Sequence, residues 1–357
     1  MQRPLCRSGH VDEVVVKTNC ASFYGDNPMK KIVTLAVSAI AAATVASQAS
    51  AVETIRLSTY VNEIDIRYQG FKFFADQVAK DTEGRVKVEI FPSATLHGWS
   101  EGVDAIQGGV SDISWIPADK RLPCYRVTSL YPVAIDLEKQ IELDAKFTAL
   151  LAPEAAKVGL VNVINSNYSY DQEWWFKDRV ADLGKLDGQL VRSIGPLVSM
   201  MIENWGGSPV FVAPKEVFQS AERGVVDGIN MGVATYSSWK LWGVMPYMVN
   251  ANLFYGNIQY MMNKKKFDKL SAADQKAVLK AGKDSEIWLK PRYEDWIDQR
   301  VGNAVMKGGG AAVSISQDER MALINGVQKK WDETEVNKSC GMELADKVRG
   351  LFANYAP

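Results

Sequence analysis

Histidine is almost missing from this chain: there are two in 357 residues, His10 and His97. With a single imidazole beyond residue 51, Ser-His-Asp triads and His-rich zinc sites have little to be built from. Cysteine is nearly as scarce, at four, and Cys124 and Cys340 are the two beyond residue 51. They are too sparse for a metal site. The signatures G-x-S-x-G, G-x-x-x-x-G-K-[ST], C-x-x-C and H-E-x-x-H are all absent. An excess of either charge is absent too, with 41 basic residues against 42 acidic ones, which argues against nucleic acid as a partner. Long apolar runs are lacking except for one, Ile32–Ala46, whose roughly 15 residues fall short of the roughly 20 that span a bilayer.

That run has the form of a signal peptide. Lys30 and Lys31 make a basic start after Met29, and Ala49-Ser50-Ala51 offers an A-x-A cleavage site. The expectation is an exported protein of a bacterial periplasm, cleaved after Ala51, with residues 29–51 as the leader. Residues 1–28 fit no signal pattern and read as an overextended start ahead of the initiator Met29. The segment to Ala51 carries five basic and three acidic residues, which leaves 36 basic and 39 acidic ones in the 306 that follow. That length suffices for two packed α/β domains, and two lobes invite a cleft. An exported compartment permits Cys124 and Cys340 to pair, though a disulfide and two buried thiols both stay open.

Beyond Val52 the hydrophobic period alternates between 2 and 3.6. Ile55 to Thr59 predicts a strand, and Tyr68, Phe71, Ala75, Val78 and Ala79 predict an amphipathic helix with Gly84 as its C-cap. Val86, Val88 and Ile90 alternate with charged residues as a half-buried strand stopped by Pro92. A short helix from Ser100 and an apolar strand at Ile113 to Ile116 complete a βαβαβ progression, which predicts a mainly parallel sheet. A second series has strands at Leu160 to Ile164, Leu190 to Ile194 and Val210 to Ala213, with helices at Leu197 to Trp205 and Lys215 to Arg223. Ser271 with Asp274 opens a helix that continues to about Met306, is expected to kink at Pro291, and is long enough to lie across two lobes. Ala312 to Ile315 predicts a brief strand and Asp318 to Asn337 a last helix.

The order Glu83-Gly84-Arg85-Val86-Lys87-Val88-Glu89-Ile90-Phe91-Pro92, then Leu96, Gly98 and Glu101 to Gly109, resembles the opening of a TRAP-transporter solute-binding protein of the DctP type. A second block agrees. It holds Asp182-Leu183-Gly184-Lys185-Leu186-Asp187-Gly188, Val191-Arg192, Gly206-Gly207-Ser208-Pro209-Val210, Glu216-Val217-Phe218 and Gly224-Val225-Val226-Asp227-Gly228. The resemblance implies an α/β, two-lobed periplasmic-binding-protein-like fold, with a ligand cleft between the lobes and a long helix spanning both. Lobe I is expected at 52–173 plus about 263–290, and lobe II at 174–262 plus about 291–357. The implied function is capture of an organic acid and its delivery to small and large membrane permease subunits; no cofactor is expected, and a monomer is the default where the sequence carries no sign of oligomeric state.

Residue by residue, Arg192 falls on the family arginine that grips a carboxylate, a task suited to the planar fork of guanidinium donors. It could instead pair with a structural acid. Many relatives carry a further arginine about twenty positions earlier, where this chain has Trp174, Trp175 and Phe176; that exchange favours a monocarboxylate with an aromatic or hydrophobic body. Keto-acid binders carry an acid and an aromatic after Asp227-Gly228, whereas Ile229-Asn230-Met231 stands here, which argues against a metal and leaves Asn230 and Met231 as neutral contacts. Tyr60, Trp99, Trp115, Tyr236 and Trp239 are candidate cleft walls or, singly, core. Glu101 is a candidate polar contact or an exposed acid favouring a helix N-terminus, and His97 a loop hydrogen-bonder. Two rival readings are a binding protein that feeds a sensor kinase, and a secreted hydrolase or lyase using Glu101 with another carboxylate.

Overall fold

The computed structural model describes residues 52–166 and 172–357; the expected signal peptide and its cleavage site lie outside them. β1 (Glu53–Ser58), β2 (Val86–Phe91) and β3 (Ile113–Ile116) alternate with α1 (Ile66–Asp81) and α2 (Gly102–Gln107). In β2, Val86 and Val88 are buried while Lys87 and Glu89 face solvent, the alternation that the sequence shows. The Asp65 side chain caps α1 by accepting from Arg67 N. After α1, Glu83 and Gly84 at φ 51° and 80° turn the chain into β2.

Next come α3 (Pro123–Thr128), β4 (Leu130–Tyr131), α4 (Gln140–Lys157) and β5 (Leu160–Asn165). The following stretch holds β6 (Gln172–Phe176), β7 (Leu190–Ser193), α5 (Pro196–Asn204), β8 (Ser208–Phe211), α6 (Val217–Glu222), β9 (Gly228–Gly232) and α7 (Val233–Ser238). β10 (Tyr247–Asn250), β11 (Tyr255–Gly256), β12 (Gln259–Asn263), α8 (Lys264–Lys269), α9 (Ala272–Lys307) and β13 (Ala311–Ser314) lead to α10 (Gln317–Trp331), α11 (Asn337–Cys340) and α12 (Met342–Ala353).

Two sheets result, ordered β2-β1-β3-β12-β5 and β13-β10-β6-β9-β7-β8, and a β4-β11 ribbon joins the chain between them. β1 runs parallel to β2 and β3, but β12 is antiparallel to both β3 and β5. The expected mainly parallel sheet is therefore mixed. β12 is added late in the chain and runs into the first sheet against its neighbours, a connection that local periodicity does not reveal. Because β12 belongs to the first sheet, the expected lobe boundary at 262 falls inside a strand.

α9 runs for 36 residues and continues past Pro291, which lies inside it. It packs on α1 and β5 in one lobe and on α7 and β13 in the other. Its approach to β5 is close enough that a Cβ on Gly282 would overlap the Val163 carbonyl oxygen. Cys124 and Cys340 form a disulfide with Cα atoms 4.4 Å apart. The C-terminal helices dock on the segment that follows β3: Trp331 Nε1 donates to Val127 O at 2.9 Å, and Tyr355 OH to Glu142 at 2.7 Å.

Candidate functional site

The second sheet presents one end to the first lobe. There β7 passes through Ile194 and Gly195 into α5, and β6 begins at Gln172. Opposite stand Trp99, the residues just after β3, and α3. Three cavities lie between these walls, and Trp99 lines all of them. The inner one, ≈ 40 Å³, is also lined by Arg126, Ser129, Gln172, Gly195 and Asn257. It is continuous through Trp99, Arg126 and Gly195 with an outer recess of ≈ 350 Å³ reaching Ser193, Ser199 and Phe211. A third, ≈ 20 Å³, lies on the other side of Trp99 beside Tyr60, Lys215 and Trp239. The inner space has room for a few waters and not for an organic acid. A separate groove of ≈ 440 Å³ runs along β10, β13 and α10; it meets no side chain singled out for ligand binding.

Arg192, one residue before the end of β7, lies behind this wall and is 2% exposed. Its Nε donates to Val212 O at 2.9 Å and its Nη1 to Asn230 O at 2.5 Å, with Met231 Sδ 4.0 Å away. No carboxylate pairs with it among the described residues, and burial alone pushes its pKa down to about 9. A buried cation bonded only to neutral groups is held at a cost that an anion would relieve. Arg192 does not itself line the cavities.

The tryptophans are placed differently from the expectation of a cleft wall. In the β6–β9 register Trp174 stands opposite Asn230 and Trp175 opposite Ile229, and strand alternation turns the two rings to opposite faces. Trp174 packs edge-on against Trp205, and Trp175 stacks on Tyr236 at 3.5 Å. Tyr236 is itself fully buried, with its OH on Met245 O. Asn230 is buried too: its Nδ2 donates to Glu173 O at 3.2 Å, while Oδ1 has no partner among the described residues. None of Trp174, Trp175, Asn230, Met231 or Tyr236 reaches a cavity.

On the first lobe, Tyr60 and Trp99 line the cleft, their rings edge-to-face at 5.0 Å. Trp115 supports them from behind, donating from Nε1 to Trp99 O at 3.0 Å while His97 stacks on its ring. His97 bonds Gly98 O and Ser114 Oγ, which pins the loop leading to Trp99; burial lowers its pKa. Glu101 is exposed, and its carboxylate accepts from Gly98 N at 2.7 Å, the helix-start role rather than a ligand contact. No group of three His, Cys, Asp or Glu side chains suited to a metal is gathered among the described residues. Arg126, Gln172 and Asn257 line the cleft without having been singled out. Each comes from an element whose sequence carries no ligand motif.

A profile of bacterial extracellular solute-binding protein family 7, DctP, matches residues 57–337. A solute-binding protein of Verminephrobacter eiseniae is 26% identical over 318 residues, covering 84% of this chain and 90% of that one. Among solved structures, DctP7 of Bordetella pertussis, an extracytoplasmic solute receptor binding pyroglutamic acid, superposes with a TM-score of 0.73 at 23% identity, over 83% of this chain and 99% of the other. A TRAP periplasmic solute-binding protein from a Sulfitobacter species, with bound β-D-galacturonate, gives 0.74 at 23% identity over 85% and 100%. The two α/β lobes and the helix spanning them are thus a fold shared with these receptors, and the chain belongs to the DctP family of TRAP-transporter solute-binding proteins.

Proposed function

We propose that this protein captures an organic acid between its lobes in the periplasm, as a monomer, and delivers it to the small and large membrane subunits of a TRAP transporter. The observation that carries the reading is Arg192, a fully buried guanidinium with no carboxylate partner among the described residues, one residue short of the cleft end of β7. Parting of the lobes gives an acid access to this end of the sheet. Closure then excludes water and strengthens the ion pair in a lower dielectric. Relatives that bind pyroglutamic acid and galacturonate support an organic acid as the ligand class.

An aromatic or hydrophobic body on that acid loses the support expected from Trp174 and Trp175, since both rings are spent inside the second lobe. Trp99 is the ring that remains at the centre of the cleft. A hydrolase or lyase reading is disfavoured because, among the described residues, no Asp or Glu lines any of the three cavities, so these residues assemble no carboxylate pair for acid and base work there.

The test is a thermal-shift screen of organic acids against residues 52–357, repeated with Arg192→Ala. A ligand of the folded state raises the melting temperature by mass action. A hit abolished in the variant supports the carboxylate clamp, and a hit that survives the substitution removes Arg192 from the mechanism.

A further inference from the structure

The groups that bond Arg192 all lie in the second lobe: Val212 follows β8, and Asn230 and Met231 are in β9. An acid held there alone would bind one lobe without drawing in the other. A second cation stands across the cleft. Arg126, on α3 of the first lobe, lines both the inner cavity and the outer recess. Its Nη2 lies 3.7 Å from Glu335 Oε2, and its guanidinium makes no hydrogen bond among the described residues. Its position is fixed from both sides of the helix that carries it. Glu154 accepts from Cys124 N and Tyr125 N at 2.8 and 2.9 Å, and the Cys124–Cys340 disulfide anchors the first turn.

Facing Arg126 is the N-terminus of α5, nine residues long, with no side-chain cap. Pro196 has no N–H to offer, and the Leu197 and Val198 N–H groups are first-turn orphans. Gly195, Pro196 and Leu197 line the inner cavity. A helix N-terminus opposite an arginine is a place for negative charge. A buried polar group on the same cavity indicates that a ligand completes it. Gln172 is 7% exposed and its side-chain amide is unpartnered among the described residues.

We propose that Arg126 of the first lobe and the N-terminus of α5 in the second form an anion subsite that bridges the lobes, so that the transported acid carries a second carboxylate. This rests on the organic-acid reading above. Guanidinium donors from one side and the Leu197 and Val198 N–H groups from the other take that carboxylate, while Gln172 bonds its flank. The bridging anion has favourable contacts only when the lobes are together, so it biases the equilibrium towards closure. The expectation of a monocarboxylate, drawn from the missing second arginine before Arg192, changes because the second cation comes from the other lobe.

The experiment compares matched acids, adipate against hexanoate and galactarate against galactonate, on wild type, Arg126→Ala, Arg126→Lys and Arg192→Ala. Affinity is read by calorimetry and closure by the radius of gyration in solution scattering. The expected result is a diacid advantage of at least about tenfold, erased in Arg126→Ala and partly kept in Arg126→Lys. Compaction by the diacid should be seen in wild type and lost in Arg126→Ala. Equal affinity for both acids of each pair, or a diacid advantage that survives Arg126→Ala, overturns the subsite. A diacid that binds wild type, fails with Arg192→Ala and ignores Arg126→Ala overturns the subsite alone. Failure of every acid to bind wild type overturns the organic-acid function together with it.

Discussion

Arg67 in α1 donates from Nη2 to Thr235 Oγ1 in α7 over 2.7 Å, joining residues 168 positions apart across the two lobes. Both side chains are buried. Arg67 is also gripped by Asp65 at 2.7 Å and bonded to Tyr60 OH at 3.1 Å. The contact therefore sets a pre-oriented cation from the first lobe onto the Thr235 hydroxyl of the second.

Removing that hydroxyl tests whether the contact favours closure. Thr235→Val keeps the shape and deletes the acceptor, and should weaken ligand affinity by about 10- to 100-fold, the worth of one hydrogen bond to a charged group. The unliganded melting temperature should barely move, because Arg67 keeps its ion pair with Asp65. Affinity equal to wild type in calorimetry would show that the bond plays no part in closure.

Reduction of the Cys124–Cys340 disulfide opens a link between positions 216 apart. A covalent tie over so long a loop is worth about 2–5 kcal/mol, so the paired variant Cys124→Ser, Cys340→Ser should melt roughly 5–15 °C lower. Melting curves with and without reductant check this. Identical curves would mean that the C-terminal helices are held by packing alone.

Stability should fall as the solution becomes alkaline, for a reason that two acids make specific. Burial raises Asp144 to about 7 and Glu286 to about 8, and the Asp144 charge adds to the Glu286 shift; the Asn257 and Asn165 side chains lie between them. In the unfolded chain both groups titrate near 4. Their folded pKa values are raised, so their contribution is fully present below about pH 4 and is lost as pH rises through 7 to 8. Asp144→Asn together with Glu286→Gln should flatten that part of the profile, measured as melting temperature between pH 5 and pH 9.

Gly282 offers a test of opposite signs. An exposed helical glycine gains up to about 1 kcal/mol on change to alanine, but here the new Cβ would overlap Val163 O. Gly282→Ala should therefore cost about 1–3 kcal/mol through displacement of α9 from β5, read from urea unfolding. A stabilised variant would show that the helix has room to move.

Much of the fold is legible in the sequence because it is written in local periodicity. β1, α1, β2, β3, β7 and α5 lie within two residues of their expected limits, and Ser271 does cap the long helix, its Oγ accepting from Asp274 N at 3.1 Å. Others escape that reading. The 18 residues of α4 and the 12 of α12 were not foreseen, and the antiparallel entry of β12 was invisible because a strand's direction depends on where the chain has been.

The site divides along the same line. The sequence, through its resemblance to DctP proteins, placed an arginine near the end of a strand, and Arg192 stands one residue before the end of β7; that its side chain lies buried behind the cleft wall was not legible there. It also determined that histidine and thiol chemistry would have almost nothing to work with. Only the tertiary structure decided which aromatics meet the cleft: alternation along β6 turns Trp174 and Trp175 to opposite faces, yet which face is covered depends on Trp205 and Tyr236, far away in the chain. It also placed Arg126 opposite the start of α5. That juxtaposition has no local signal, since it arises from two lobes packing and a disulfide 216 positions long, both properties of the folded chain as a whole.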